Sequence, residues 1–146
     1  MIKKGDKIGE IILPDSEGNN FQLSSTIGKK VLLTFYRHAS CAICNLRINE
    51  FIKRYDEFGN KFTMVGIFHA PRDFLKKNMK KHKLPFTVLA DEKFEYFKKF
   101  NVEKSYLKLF LAFILKPHKF FIAGLKGYLP VQFKGYLTIV PVDVLI

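Results

Sequence analysis

The chain has two cysteines, Cys41 and Cys44, separated by Ala42 and Ile43. A C-x-x-C pair beside a strand-helix-strand pattern reads as a redox dithiol, because helical spacing sets the second sulfur one turn behind the first, within reach of a disulfide. Thiolate, not thiol, is the attacking form, and the unpaired N–H groups and positive dipole end of a helix start favour it. Cys41, at or just before the first helical turn, is therefore the expected nucleophile toward a disulfide or a peroxide. Cys44, one turn inside and more buried, is the expected resolving thiol. Arg37, His38 and Arg47 are expected to add positive potential nearby, and Ser40 to cap the helix.

Two other chemistries compete for the pair. Buried cysteines can serve as small hydrophobes. A zinc site needs four ligands, and His38 and His69 are the only helpers that the placement of the cysteines suggests. His69, His82 and His118 otherwise read as ordinary surface or capping histidines.

The elements that must hold the dithiol follow from periodicity. Val31–Tyr36 is apolar on both faces except at Thr34, as a central strand covered by helices requires. Ile48, Phe51, Ile52, Tyr55 and Phe58 then repeat at helical spacing, and Gly59-Asn60 supplies a stop. Phe62–Phe68 is a second strand, which completes a β-α-β unit with the cysteines at its first turn. Upstream, apolar runs around Ile11-Ile12-Leu13 and Phe21-Gln22-Leu23 flank a Gly/Asn-rich turn and predict a β-hairpin. Downstream, a helix from about Pro71 to His82, a short strand over 84–89 and a short helix marked by Phe94, Phe97 and Phe100 are expected. Residues of about 104–135 read as a helical insertion, with Leu107–Leu115 apolar nearly all round and a fresh start after Pro117. Packing on the domain or dimerisation is the preferred role for it, ahead of membrane contact; the first apolar run is too short to span a bilayer. Leu137–Ile146 is a strand interrupted at Pro141.

At 146 residues the whole chain, 1–146, is expected to form a single domain with a core carried by its sixteen phenylalanines. Its net charge of +12 comes almost wholly from scattered lysines, with no arginine cluster or base-stacking aromatic motif, so solvated helices are preferred to a nucleic-acid partner. Met1–Asp6 is basic but lacks an apolar segment and a cleavage site, which predicts a cytoplasmic protein whose thiols are kept reduced.

The order Gly5-Asp6-Lys7, Leu13-Pro14-Asp15, Phe21-Gln22-Leu23, Val31–Arg37, Cys41, Cys44 and Leu84-Pro85-Phe86 through Ala90-Asp91 resembles the alkyl hydroperoxide reductase/thiol-specific antioxidant group, the peroxiredoxin-like branch of the thioredoxin superfamily. The resemblance covers residues of about 5–103 and resumes at Val140-Pro141. It implies an α/β, thioredoxin-like fold, with a central mixed sheet flanked by helices and an N-terminal hairpin. It further implies thiol-dependent reduction of peroxides or disulfides without metal or organic cofactor, recycling by a thioredoxin-like electron donor, and a match of Pro141 to the cis-proline that faces the dithiol. The family places a proline and a Thr or Ser seven and three residues before its peroxidatic cysteine. Those positions hold Thr34 and His38 counted from Cys41, and Arg37 and Cys41 counted from Cys44. A further antiparallel strand and a closing helix are implied beyond Ile146, so the C-terminal part is expected to be incomplete, through truncation or completion by a partner in a homodimer. Protein-disulfide reduction without peroxidase activity, and a degenerate thioredoxin-fold binding module, are the alternative functions.

Overall fold

The computed structural model describes residues 5–102, 104–105, 107, 111, 114–115, 117–127 and 138–146. Alternation along three parallel strands divides its core in two. β3 (Lys30–Tyr36), β4 (Phe62–Phe68) and β5 (Thr87–Ala90) pair in parallel, and β6 (Val142–Leu145) adds antiparallel to β3, so that the sheet order is β5-β4-β3-β6. Successive side chains of a strand point to opposite faces. Tyr36, Met64, Phe68, Val88 and Ala90 accordingly enter one core cluster, and Val31, Leu33, Phe35, Val65, Ile67 and Leu89 enter the other.

Each cluster is closed by different elements. Helix α1 (Ala42–Arg54) and helix α2 (Arg72–Met79) cover the first, through Cys44, Ile48, Phe74, Leu75 and Met79. The second is covered by helix α3 (Glu95–Lys99), through Phe97, and by the hairpin formed by β1 (Ile12–Pro14) and β2 (Asn20–Gln22), through Leu13 and Phe21. Phe35 packs its ring edge-on to Phe97 at 5.1 Å and tilted on Phe100 at 4.8 Å, so the expected phenylalanine core is centred on this face. The architecture is thioredoxin-like, with a mixed sheet between helices and an N-terminal hairpin.

Close packing at the middle of the sheet depends on one glycine. Gly66 lies opposite Thr34 in the ladder, and a Cβ built on it would stand 3.1 Å from Cε2 of Tyr36. The Tyr36 ring stacks on Phe68 at 4.8 Å on the same face, directly beneath α1.

Several boundaries differ from expectation for local reasons. α1 ends at Arg54 and continues as a 3-10 turn over Tyr55–Phe58, closed by Gly59 at φ 72°, a conformation that favours glycine. α2 begins only after Pro71 and stops at Met79, short of His82. β5 starts at Thr87 rather than Leu84, because Pro85 cannot donate to the ladder. The bond before Pro141 is trans, since no peptide among the described residues is cis, and this corrects the cis-proline expectation. Pro141 sits just ahead of β6, where its missing N–H breaks no strand pairing. In the expected insertion, helix α4 (Pro117–Leu125) lies alongside α1, with Pro117 in the first helical position that proline tolerates. The apolar segment 107–115 falls largely outside the described residues. No described helix is long and apolar enough to cross a membrane.

Candidate active site

The junction of β3 and α1 turns within five residues, 37–41. Cys41 N–H donates to His38 O at 3.1 Å, and Asn45 N–H reaches Cys41 O at 2.9 Å to open the helix. Cys41 is thus the N-cap, with extended backbone (φ −66°, ψ 120°), and its Sγ takes the place usually held by a Ser or Asp oxygen. The sulfur accepts the N–H of Cys44 at 3.4 Å. Both cysteines are free thiols and both are buried, Cys41 at 6% and Cys44 at 4% exposure, so burial separates them less than helical position suggests.

Position at the helix start separates them instead. The neighbouring Cys44 side chain, the N–H groups of Cys44 and Ile43 and the charge of Arg37 lower the Cys41 pKa to about 7 against the opposing effect of burial. The proximity of Cys41, with burial, pushes the Cys44 thiol well above the usual thiol range, although the Arg37 backbone N–H and charge oppose it. One sulfur is held ready to ionise while its neighbour keeps the proton.

The other residues singled out by sequence divide between the site and its scaffold. Arg37 provides positive potential at Cys41, and its Nε donates to Ile139 O at 3.0 Å, which ties the 138–141 segment to the end of β3. His38 adds no charge near neutrality, because burial, reinforced by Arg37, lowers its pKa to about 4. Its Nδ1 lies 3.1 Å from Ser40 Oγ, so Ser40 bonds within the turn and leaves the N-cap to Cys41. Arg47 is turned away from Cys41: it pairs with Asp143 on β6 and lies over the Phe51 ring at 5.6 Å. Asp143 also accepts from the buried hydroxyl of Thr34 at 2.9 Å, so that one carboxylate joins β6, β3 and α1. Tyr36, fully buried beneath this group, has a hydroxyl without a hydrogen-bond partner among the described residues and a pKa raised by burial.

Two residues of the site were not anticipated. Asn45 is fully buried, and its Nδ2 donates to Ala39 O at 3.0 Å and to Cys41 O at 2.8 Å. Its Oδ1 lies 2.7 Å from Nε2 of His82, in the loop after α2. His82 is therefore buried, at 8% exposure, rather than a surface or capping histidine. The available signal was that Asn45 stands four residues after Cys41 and three before Ile48, on the buried stripe of α1, where an amide requires partners. His69 follows the C-terminal end of β4, with Nδ1 3.1 Å from Asp91 O. Among the described residues no group of three or more His, Cys, Asp or Glu is placed to hold a metal ion. A cavity of about 330 Å³, lined by His82, Lys76, Lys80, Asp15 and Glu17 among others, contains neither cysteine in its wall.

The chain is similar to known proteins of one family. The model of the AhpC/TSA family matches residues 4–124. A bcp protein of Buchnera aphidicola subsp. Schizaphis graminum is 35% identical over 107 residues, 69% of this chain and 65% of its own length. Peroxiredoxin Bcp of Escherichia coli is 29% identical over 109 residues, 73% of this chain and 70% of its own. The crystal structure of peroxidoxin BcpB from Mycobacterium tuberculosis superposes with a TM-score of 0.67 at 26% identity, covering 73% of this chain and 71% of that one. The chain thus spans about two thirds of the length of these relatives.

Proposed function

The chain belongs to the AhpC/TSA family, within the thioredoxin superfamily, and from that premise we propose that it is a thiol peroxidase in which Cys41 attacks and Cys44 resolves. The observation that carries the reading is the placement of Cys41 as the N-cap of α1, its Sγ accepting the Cys44 N–H at 3.4 Å, with the Cys41 pKa lowered and that of Cys44 raised. In the first step the Cys41 thiolate attacks one peroxide oxygen, the O–O bond breaks, and the departing alkoxide takes a proton from solvent to leave as alcohol. Cys41 becomes a sulfenic acid. The Cys44 sulfur then attacks Cys41 Sγ, its proton leaves with the hydroxyl as water, and a disulfide closes. An external dithiol of thioredoxin type returns two electrons and two protons. A small peroxide is the favoured substrate because Cys41 is only 6% exposed, which admits a small molecule more readily than a folded protein.

One observation favours protein-disulfide reduction instead. The position three residues before Cys41 is filled by His38, engaged with Ser40, rather than by the Thr or Ser of a peroxide pocket. The two readings separate in one experiment. Peroxide consumption and insulin-disulfide reduction are measured for the wild type, Cys41→Ser and Cys44→Ser, with the oxidised species identified by alkylation and mass. The peroxidase reading expects Cys41→Ser to be inert and Cys44→Ser to stop after one turnover as a sulfenic acid or its overoxidised product. If both thiols of the wild type stay alkylatable after peroxide while insulin is reduced, the peroxidase reading fails and the alternative replaces it.

A further inference from the structure

The dithiol turn is held by a buried amide that is itself anchored from outside the turn. Three acceptor or donor atoms meet the Asn45 side chain: two carbonyls, Ala39 O and Cys41 O, and the imidazole Nε2 of His82. Carbonyl oxygens only accept, so Nδ2 must face them and Oδ1 must face the ring. His82 must therefore carry its proton on Nε2, because an unprotonated Nε2 would face an acceptor. If the amide flipped, Oδ1 would be brought against two carbonyl oxygens in a buried site, leaving those polar groups unpaired. The lock is therefore two-part: the turn carbonyls set which way Asn45 lies, and His82, 37 residues away in sequence, satisfies and holds its Oδ1.

We propose that Asn45, anchored by His82, is the positioning residue for Cys41: it holds the Cys41 peptide in the N-cap conformation that aims Sγ at the Cys44 N–H. Cys41 O receives both the Asn45 backbone N–H and the Asn45 Nδ2, while Ala39 O, two residues earlier, receives the second amide hydrogen. Both ends of the Ala39–Cys41 segment are thereby fixed to α1 by one side chain. Released, the segment gains freedom at the Cys41 backbone, and the Sγ contact at 3.4 Å, already long, is the first bond lost. The inference rests on Cys41 being the reactive thiol, but it concerns the state of that thiol and not the oxidant it meets.

The test is the pH profile of iodoacetamide alkylation at Cys41, followed by peptide mass, in the full chain carrying Asn45→Leu, His82→Leu or His82→Gln. Leucine keeps the branched shape of asparagine without its hydrogen bonds. Glutamine can present an N–H where His82 Nε2 lies. In Asn45→Leu the Cys41 midpoint is expected to move upward and the alkylation rate at pH 7 to fall roughly three- to tenfold. His82→Leu is expected to shift in the same direction, and His82→Gln to return toward the wild-type profile. A folded Asn45→Leu protein with an unchanged profile overturns the proposal. Should Asn45→Leu fail to fold, the His82 pair decides: coincident profiles for His82→Leu and wild type overturn it equally. Peroxide consumption is measured alongside. Loss of the peroxidase reading leaves the Cys41 profile and its dependence on Asn45 intact, so the two failures are distinguishable.

Discussion

At the residue scale the chemistry depends on which sulfur holds the proton. Cys41 has a folded pKa lowered from the ordinary thiol range to about 7, so its thiolate fraction rises with pH up to that point and then levels. Alkylation of Cys41 is expected to fall about tenfold per unit below pH 6 and to plateau above pH 8, measured by stopped-time alkylation and mass. Because the folded value lies below the unfolded one, the ionised thiol contributes stability at alkaline pH, and that contribution disappears as pH falls through about 7. The Cys44 thiol is the largest cause of the lowering, so Cys44→Ala is expected to raise the Cys41 midpoint and slow its alkylation at pH 7 several-fold, in the same assay. An unchanged midpoint would show that Arg37 and the backbone amides suffice. The pair itself was legible in the sequence because C-x-x-C spacing fixes two sulfurs one turn apart whatever the fold. Asn45 and His82 were not, since their pairing spans 37 residues and exists only once α2 has packed beside α1.

At the element scale the sheet centre is where sequence and structure agree best, because a strand buried on both faces leaves a long apolar signature. β3 and β4 fall within one residue of their expected limits. Gly66 is the tightest point between them. A methyl there meets the rigid Tyr36 ring at 3.1 Å and Val88 Cγ1 at 3.4 Å, so Gly66→Ala is expected to destabilise by about 1–3 kcal/mol in urea unfolding. The last strand was harder to read. β6 is four residues long, with Val142 and Val144 only partly buried against the core, and Asp143 adds a polar tie to β3 and α1. Asp143→Ala leaves the buried Thr34 hydroxyl without its partner and frees Arg47, at an expected cost of about 1–3 kcal/mol. Most of that belongs to Thr34, because the Arg47 pair is a third or more exposed on both sides and is screened by solvent. Thr34→Val combined with Asp143→Ala should therefore recover part of the loss. If the double variant is no more stable than the single, the stabilisation came from the ion pair instead. Pro141 illustrates the limit of local reading. Its lost donor is harmless just before β6, and only the observed ladder shows that β6 begins one residue later.

At the scale of the whole molecule the remaining question is what a net charge of +12 does to a 146-residue fold. Twenty-five basic residues face thirteen acidic ones, so nearly half of the cations have no counter-charge available to them. The ion pairs among the described residues, Arg47–Asp143, Arg54–Glu57, Arg72–Asp73 and Lys76–Glu17, all lie at or near the surface, where each contributes about 0–1 kcal/mol. Like-charge repulsion acts over longer distances and is not confined to those pairs. Salt screens both effects, with a Debye length of about 30 Å at 0.01 M and about 8 Å at 0.15 M, but the repulsion has more terms to lose. Thermal unfolding followed by circular dichroism at pH 7.5 is therefore expected to show a midpoint a few degrees higher in 0.15 M than in 0.01 M sodium chloride. Chloride is the appropriate anion, since sulfate also strengthens apolar burial and would raise the midpoint for a different reason. A midpoint that falls with added chloride would mean that the few surface pairs outweigh the excess charge. The same screening acts on Cys41 only weakly, because its partners are buried with it, so its alkylation midpoint should move much less than the melting temperature across the same salt range.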